Sequence, residues 1–430
     1  MVASTIGRCL YTTMWWLVLP LLPVRLWWRG RKEAGYRERI GERFGRYRAD
    51  VAAPATEVIW IHAVSLGETR AAAPLIERIL HERPASTVLL THMTATGRSA
   101  GRAFAGERVV QAWLPYDVPF AVRAFIARFR PRAGLLIETE LWPNLIAACR
   151  ARQVPVFLVN ARLSQRSERG YSVFASLATS LFAALSGVAA QTSDDAARLT
   201  RLGARDVIVT GNLKFDVALP AQARQQGALL RRRLGIDRPV WIAASTRDGE
   251  EALLLDALER HPLPATVVTV IVPRHPQRFA AVAELLRARG LSFVRRSDDM
   301  PVPTGRAFVL GDTLSELFTY YTAADVGFVG GSLVPTGGQN LIEPLAAGLP
   351  TLVGPHTFNF SDATTRAIDA GAAMRAPDAD SLVAEVAALL ADAERRQMMR
   401  EAALAFHAAH KGAADRTWQW LAPRLQGASG

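Results

Sequence analysis

The chain has 430 residues, half of them apolar and 21% charged, with 31 glycines and 24 prolines spread along it. That length suits two domains of about 150–200 residues, and the composition excludes a disordered, collagenous or long coiled-coil chain. A balance of 51 Lys and Arg against 39 Asp and Glu gives a net charge of +12, which favours an anionic partner such as nucleic acid, acidic lipid or a phosphorylated substrate.

Cys9 and Cys149 are too few for a disulfide framework and neither sits in a metal-ligand cluster, so a reducing compartment is expected for the body of the chain. The first predicted element is an uncharged run, CLYTTMWWLVLPLLPV (residues 9–24), between Arg8 and Arg25. As a helix it would reach roughly 24 Å, against a hydrocarbon core of about 30 Å. Pro20 and Pro23 interrupt it, and Trp15, Trp16, Trp27 and Trp28 are of the type that prefers the membrane–water boundary. Between residues 25 and 48 nine Lys or Arg stand against three Glu, a bias that keeps this segment and the body after it on the cytoplasmic side. The basic run, without a small-x-small site, fits a cleaved signal peptide poorly. Residues 1–30 are therefore expected to anchor the chain in a membrane, as a tilted span or as a helix lying in one leaflet.

From residue 57 short apolar runs alternate with segments of helical periodicity. The predicted strands are 57–64, 86–93, 109–115, 132–138, 154–160, 187–192 and 207–212, and none shows strict alternation, as expected of strands buried on both faces of a parallel sheet. Segments such as RAAAPLIERILHER between them repeat apolar residues at helical spacing. After a polar stretch at 222–238 the pattern restarts with strands at 240–245, 266–273, 306–312, 326–331 and 351–355, and the last 50 residues read as helices. The prediction is an α/β chain of two Rossmann-like domains, 31–213 and 214–430, with a hinge near 213–238 and the strand ends of the two facing a central cleft.

In such folds chemistry lies in the loops after strands. The loop HAVSLGETR (62–70) carries Glu68, which is either a carboxylate favoured by a helix start or a general base for a hydroxyl proton. Within IETELWPN, Glu138 and Glu140 end another strand; they either pair with a cation such as Arg162 or contact substrate. GNLKFD places Lys214, one of three lysines, at the expected hinge. In the second half VPRHPQRF (272–279) groups Arg274, His275 and Arg278 as an anion-binding cluster, and GDTLSEL (311–317) follows the next strand with Thr313 as a cap. The segment GFVGGSLVPTGGQNLIEPLAAGLP (327–350) is the most distinctive. Its Gly330, Gly331, Gly337 and Gly338 would let the backbone approach a ligand, and a helix starting near Gln339 would aim its amides at a phosphate. Asn340 and Glu343 would reach the same ligand. No GxGxxG follows the opening strand, and neither a Walker A lysine nor a DxD triplet is present.

Taken in order, HAVSLGE, LPYD, IETELWPN, NARLSQRS, GNLKFD, VPRHPQRF, GDTLSEL and GGSLVPTGGQN-LIEP resemble the 3-deoxy-D-manno-octulosonic acid (Kdo) transferases of Gram-negative bacteria over nearly the whole chain. The resemblance implies the GT-B fold and transfer of Kdo from CMP-Kdo to the lipid A precursor lipid IVA at the cytoplasmic face of the inner membrane. Inversion at the donor carbon is expected; CMP carries a single phosphate, so no metal or other cofactor is expected, in keeping with the missing DxD, and no aromatic-basic module points to a nucleic-acid partner. Glu68 matches the family's proton acceptor, and Glu138 and Lys214 match its transition-state stabilisers. Pro273 and Arg274, then Leu314, Ser315 and Glu316, then Asn340, Leu341, Ile342 and Glu343, match the stretches that hold CMP. The chain departs from the family at Ala95, where Pro is common, and at Arg247 and Gln339, where His is usual. Two other readings compete: a GT-B enzyme using a UDP-sugar, and a catalytically silent membrane-anchored binding module.

Overall fold

A computed structural model describes residues 2–48, 57–217, 219–305 and 307–426. The chain forms two units, Met1–Asp216 with Lys411–Gly430, and Val217–His410.

The first unit is built on β1 (Glu57–His62), β2 (Ser86–His92), β3 (Val109–Trp113), β4 (Ala133–Ile137), β5 (Val156–Ala161), β6 (Gly187–Ala190) and β7 (Val207–Val209). All pair in parallel, in the order β3-β2-β1-β4-β5-β6-β7. One face buries Trp60, Phe125, Leu136 and Phe182 and the other Ile59, Ile61, Leu75 and Leu135, so the central strands carry apolar residues at successive positions. Gly134 is required inside β4, because a Cβ there would stand 2.6 Å from the Trp60 ring. The direction of strand addition reverses between β1 and β4, which opens a crevice at their C-terminal ends.

The second unit repeats the plan with β8 (Val240–Thr246), β9 (Val268–Pro273), β10 (Phe293–Arg295), β11 (Ala307–Leu310), β12 (Val326–Val329), β13 (Thr351–Val353) and β14 (Ala373–Arg375). Their order is β10-β11-β9-β8-β12-β13-β14, again all parallel, with the reversal between β8 and β12. The edge strands β10 and β14 were not expected; at three residues each they are too short to leave a periodic signal.

Two features depart from the expected division. The C-terminal helix Ala413–Gln426 belongs with the first unit, where Trp418, Trp420, Leu421 and Leu425 complete the core on one face of the sheet. The Asp216 carboxylate fixes its start, accepting from the amides of Gly412 at 2.5 Å, Ala413 at 3.2 Å and also Ala414. The N-terminal segment is two helices, α1 (Val2–Val18) and α2 (Leu22–Lys32), joined by a 3-10 turn, with Pro20 and Pro23 at the starts of the turn and of α2, where a missing N–H costs nothing. Leu22 and Leu26 are buried with Tyr36 and Tyr116, so α2 is part of the unit's packing rather than a detached anchor. The opposite side of the pair leaves Leu10, Met14, Trp16, Leu17, Leu21 and Trp28 more than half exposed.

Candidate active site

At the crevice of the first sheet, β1 runs through Ala63 and Val64 into α3 (Leu66–Glu82). Ser65 is the N-cap and accepts weakly from the Glu68 amide at 3.4 Å. Glu68 reaches back, its Oε1 accepting from Ser65 Oγ and its Oε2 from the Val64 amide, both at 2.7 Å. This is a capping box whose carboxylate is also the candidate base. The cap fixes the carboxylate's direction, and each oxygen keeps a lone pair for a substrate proton. Burial raises the Glu68 pKa and the Glu138 charge adds to that, against the Ser65 and Val64 hydrogen bonds and the Lys214 charge.

β4 supplies the other wall. Glu138 follows its last residue in a left-handed backbone conformation, φ 62°, which costs a non-glycine residue about 1–2 kcal/mol. That turn carries its carboxylate to Lys214, whose Nζ lies 2.9 Å from Glu138 Oε1. The partner is not Arg162, which is exposed and whose carbonyl accepts from Thr139 Oγ1. Glu140 accepts from Trp142 Nε1 at 3.1 Å, and burial, then the Glu68 charge, push its pKa up to about 7.

Lys214 owes its position to a relay of side chains. Asn160, at the end of β5 with φ 56°, accepts from the Leu213 amide through Oδ1 at 2.9 Å, and Asn212 Oδ1 accepts from the Lys214 amide at 2.9 Å. The loop 138–142 is held from the other side. Asp117 accepts from the amides of Asn144 and Leu145 at 2.9 and 2.8 Å, and Thr12 of α1 donates to Asn144 Oδ1 at 3.0 Å. The LPYD and WPN motifs are thus two halves of one clamp, seated against α1 through Trp15 and Trp142, whose rings are 6.2 Å apart.

In the second unit the distinctive glycine segment behaves differently from the expectation. The Gly330–Gly331 turn is packed against the end of β8, where a Cβ on Gly330 would stand 2.6 Å from Thr246 Cα. The Gly330 amide donates to the Ala244 carbonyl at 2.8 Å, and the next three go to Glu250, a wholly buried carboxylate that accepts from the amides of Gly331 (2.6 Å), Ser332 (2.9 Å) and Leu333 (2.9 Å) and of Arg247 (2.7 Å). Burial raises its pKa and those four amides oppose the rise. No helix starts at Gln339: the amides of Gly338 and Gln339 bond to the carbonyls of Gly331 and Gly330, and the helix runs only over Ile342–Ala346. Asn340 holds that entry, accepting from the Ile342 amide and donating to Glu343 Oε1, each at 3.1 Å.

The residues matched to CMP-holding stretches lie on three loops at the C-terminal ends of β9, β11 and β12. Pro273 is the buried last residue of β9, and Arg274 Nε donates to Gln339 Oε1 at 3.1 Å. Leu314 is 67% exposed, Ser315 has φ 62°, and Glu316 pairs with Arg296 at 2.9 Å. Leu341 and Ile342 are core residues, so they can meet a ligand through backbone alone. Of the expected anion cluster, Arg278 pairs with buried Glu251 at 2.7 Å and with Asp248 at 3.0 Å, which spends it on structure. Thr313 caps no amide; its hydroxyl donates to Glu316 at 2.5 Å. Arg247 approaches His275 Nε2 at 2.5 Å, and burial together with the Arg247, Arg274 and Arg278 charges holds that imidazole below its usual range.

Two parallel-sheet units of Rossmann type, with carboxylates and a lysine at the crevice of one and Arg274, Asn340 and Glu343 after the strands of the other, make up the GT-B fold. The same fold recurs in a crystal structure of Anabaena Alr3699/HepE in complex with UDP, with a TM-score of 0.56 over 86% of this chain and all of that one, at 14% identity. Residues 38–217 match the family described as 3-deoxy-D-manno-octulosonic-acid transferase (kdotransferase). The 3-deoxy-D-manno-octulosonic acid transferase of Bordetella pertussis is 48% identical over 96% of this chain and 98% of its own. That of Haemophilus influenzae is 34% identical over 97% and 99%. The chain belongs to the 3-deoxy-D-manno-octulosonic acid transferase family.

Proposed function

We propose that the enzyme transfers Kdo from CMP-Kdo to lipid IVA, with inversion and without a metal, during lipopolysaccharide assembly on the cytoplasmic side of the inner membrane. The observation that carries this reading is the crevice between β1 and β4, where a capped Glu68 stands beside the Glu138–Lys214 ion pair. In the proposed step Glu68 takes the proton of an acceptor hydroxyl as its oxygen bonds to the donor carbon of Kdo. The bond from that carbon to the CMP phosphate breaks, and the electron pair leaves with the phosphate. Lys214, kept in place by Glu138, stabilises the negative charge of the transition state. Arg274, Asn340 and Glu343, with the backbone of 314–316 and 341–342, hold CMP.

The membrane reading rests on α1 and α2, a helical stretch of 27 residues from Thr5 to Arg31 that holds a window long and apolar enough to cross a membrane, of which little is buried. One face of α1 is packed on the first unit and the other is bare, so the segment is read as lying in one leaflet, with the basic run at 25–48 against anionic headgroups. Mass spectrometry of lipid IVA incubated with the purified protein, freshly made CMP-Kdo and a chelator tests the whole reading. Mass increments of one or more Kdo units are expected. No increment beside an active control enzyme, or tighter binding of UDP than of CMP, would overturn it.

A further inference from the structure

The proposed reaction leaves one cavity of the first unit without a role. It has a volume of about 320 Å³ and is walled by Tyr11, Leu141, Trp142, Leu177 and Leu181, with Glu140 as its polar end. That size lies at the low end of small-molecule sites, about 300–1,000 Å³.

Its two ends identify what it can take. At one end Glu140 lies two residues after Glu138 on the loop that follows β4, the loop whose Glu138 carboxylate meets Lys214 in the crevice. At the outer end Phe174, 70% exposed, stands on the rim, next to Val173 at 75%. Tyr11 brings the wall onto α1, whose Leu10 and Met14 are 67% and 53% exposed on the side read as facing lipid. Large apolar residues left bare on both sides of the pocket, Phe174 on its rim and Leu10 beside Tyr11, suit a lipid contact. An occupant must therefore be apolar along its length, enter from the bilayer side, and belong to a molecule whose polar part is bound near Glu68. A nucleotide, a free sugar or a peptide helix meets only some of these conditions.

We propose that this pocket is a subsite for one fatty-acyl chain of the acceptor, which positions the sugar hydroxyl at Glu68 and makes the enzyme prefer acylated over chain-free acceptors. The proposal rests on the reading of the acceptor as a membrane glycolipid, and it adds the residues that select the chain. Leu177, half-buried on the wall, and Phe174, on the rim, decide entry, and neither takes part in the proton transfer.

The test has two arms on the full-length protein. In the first, a dodecanoic acid with a diazirine near its methyl end is photolysed with the protein in phosphatidylethanolamine–phosphatidylglycerol vesicles, and adducts are mapped. Adducts on peptides 139–143 and 171–181, competed by lipid IVA, are expected; adducts confined to 5–31 would overturn the proposal. In the second, kcat/KM is measured on lipid IVA and on its fully deacylated counterpart. The ratio of the two should fall ~10-fold in Leu177→Trp, which fills the pocket, and several-fold in Phe174→Ala, since each buried methylene changes binding severalfold. A ratio within twofold of wild type in both variants would overturn it. Competed adducts in the pocket of a protein that modifies no glycolipid would keep the acyl-chain site and refute the acceptor reading instead.

Discussion

Replacing Glu250 by Ala should cost the second unit more than any substitution among its ligand-facing loops. The carboxylate accepts four backbone amides, those of Gly331 and Ser332 in fully buried surroundings. A buried amide left without an acceptor costs about 1–3 kcal/mol, so the two buried ones alone give roughly 2–6 kcal/mol. Part of this is offset because a buried charge no longer has to be desolvated. A net loss of about 3–4 kcal/mol follows, a large share of the 5–15 kcal/mol that stabilises a typical domain. Glu250→Gln should fare little better, since its NH2 would face amide donors. Hydrogen exchange by mass spectrometry should show faster exchange across 326–341, with a lower urea midpoint for the unit that contains Trp241. CMP affinity should fall in parallel, because Arg247 and the 330–340 loop lose their common support. A change below about 1 kcal/mol, with exchange at 331–333 unaltered, would refute the claim that this carboxylate organises the loop.

Glu68→Gln keeps an acceptor for the Val64 amide and should lower kcat by ~10²–10⁴-fold while CMP binding by calorimetry changes less than twofold; near-normal turnover would remove the base role. Lys214→Met should lower kcat by ~10²-fold or more with CMP affinity intact, whereas an effect on KM alone would make the lysine a binding group. The wild-type kcat/KM profile should decline on the acid side above the ordinary carboxylate range, because burial raises the Glu68 pKa. Glu140 binds its proton more tightly in the folded chain, with a pKa of about 7 against about 4.3 unfolded, so its contribution to stability is lost as pH rises through that window. Glu140→Gln should therefore match wild type near pH 4 and exceed it by roughly 1–3 kcal/mol at pH 8, and thermal melts at the two pH values would expose a wrong sign. Deletion through residue 30 should lower the melting temperature of the first unit, since Leu22 and Leu26 leave the cluster around Tyr116; an unchanged melt would make the segment a pure anchor.

The strands were legible because a parallel sheet covered on both faces needs unbroken apolar runs, and these run through 57–62, 86–92 and 133–137. The loops that matter were legible because glycines and charged residues follow those runs. What a side chain touches was not. Glu138 could not be matched to Lys214 rather than Arg162, since their approach depends on how β4 and the 213–216 turn meet in space. Glu250 looked like any acidic residue in a helix's first turn, although it fills the niche that the glycines of 330–331 create. The glycine pattern announced a close approach of backbone; its partner was another part of the chain. Three of the non-glycine residues with positive φ, Glu138, Asn160 and Ser245, lie at the C-terminal ends of strands and a fourth, Ser315, in the loop after β11, a signal of strained loops that composition alone does not carry.

The return of helix Ala413–Gln426 to the first unit has a consequence for the order in which the protein is made. Val217–His410 is an uninterrupted segment inserted between two parts of one core, and synthesis proceeds from the N-terminus at about 5–20 residues per second. The second unit has its whole sequence available roughly 0.5–3 s before Trp420, Leu421 and Leu425 emerge. Until then, one face of the first sheet around Ile61, Leu75 and Phe157 lacks its cover. The unit whose larger part is made first thus finishes folding last, with the bare face of α1 already synthesised while its own domain is still incomplete.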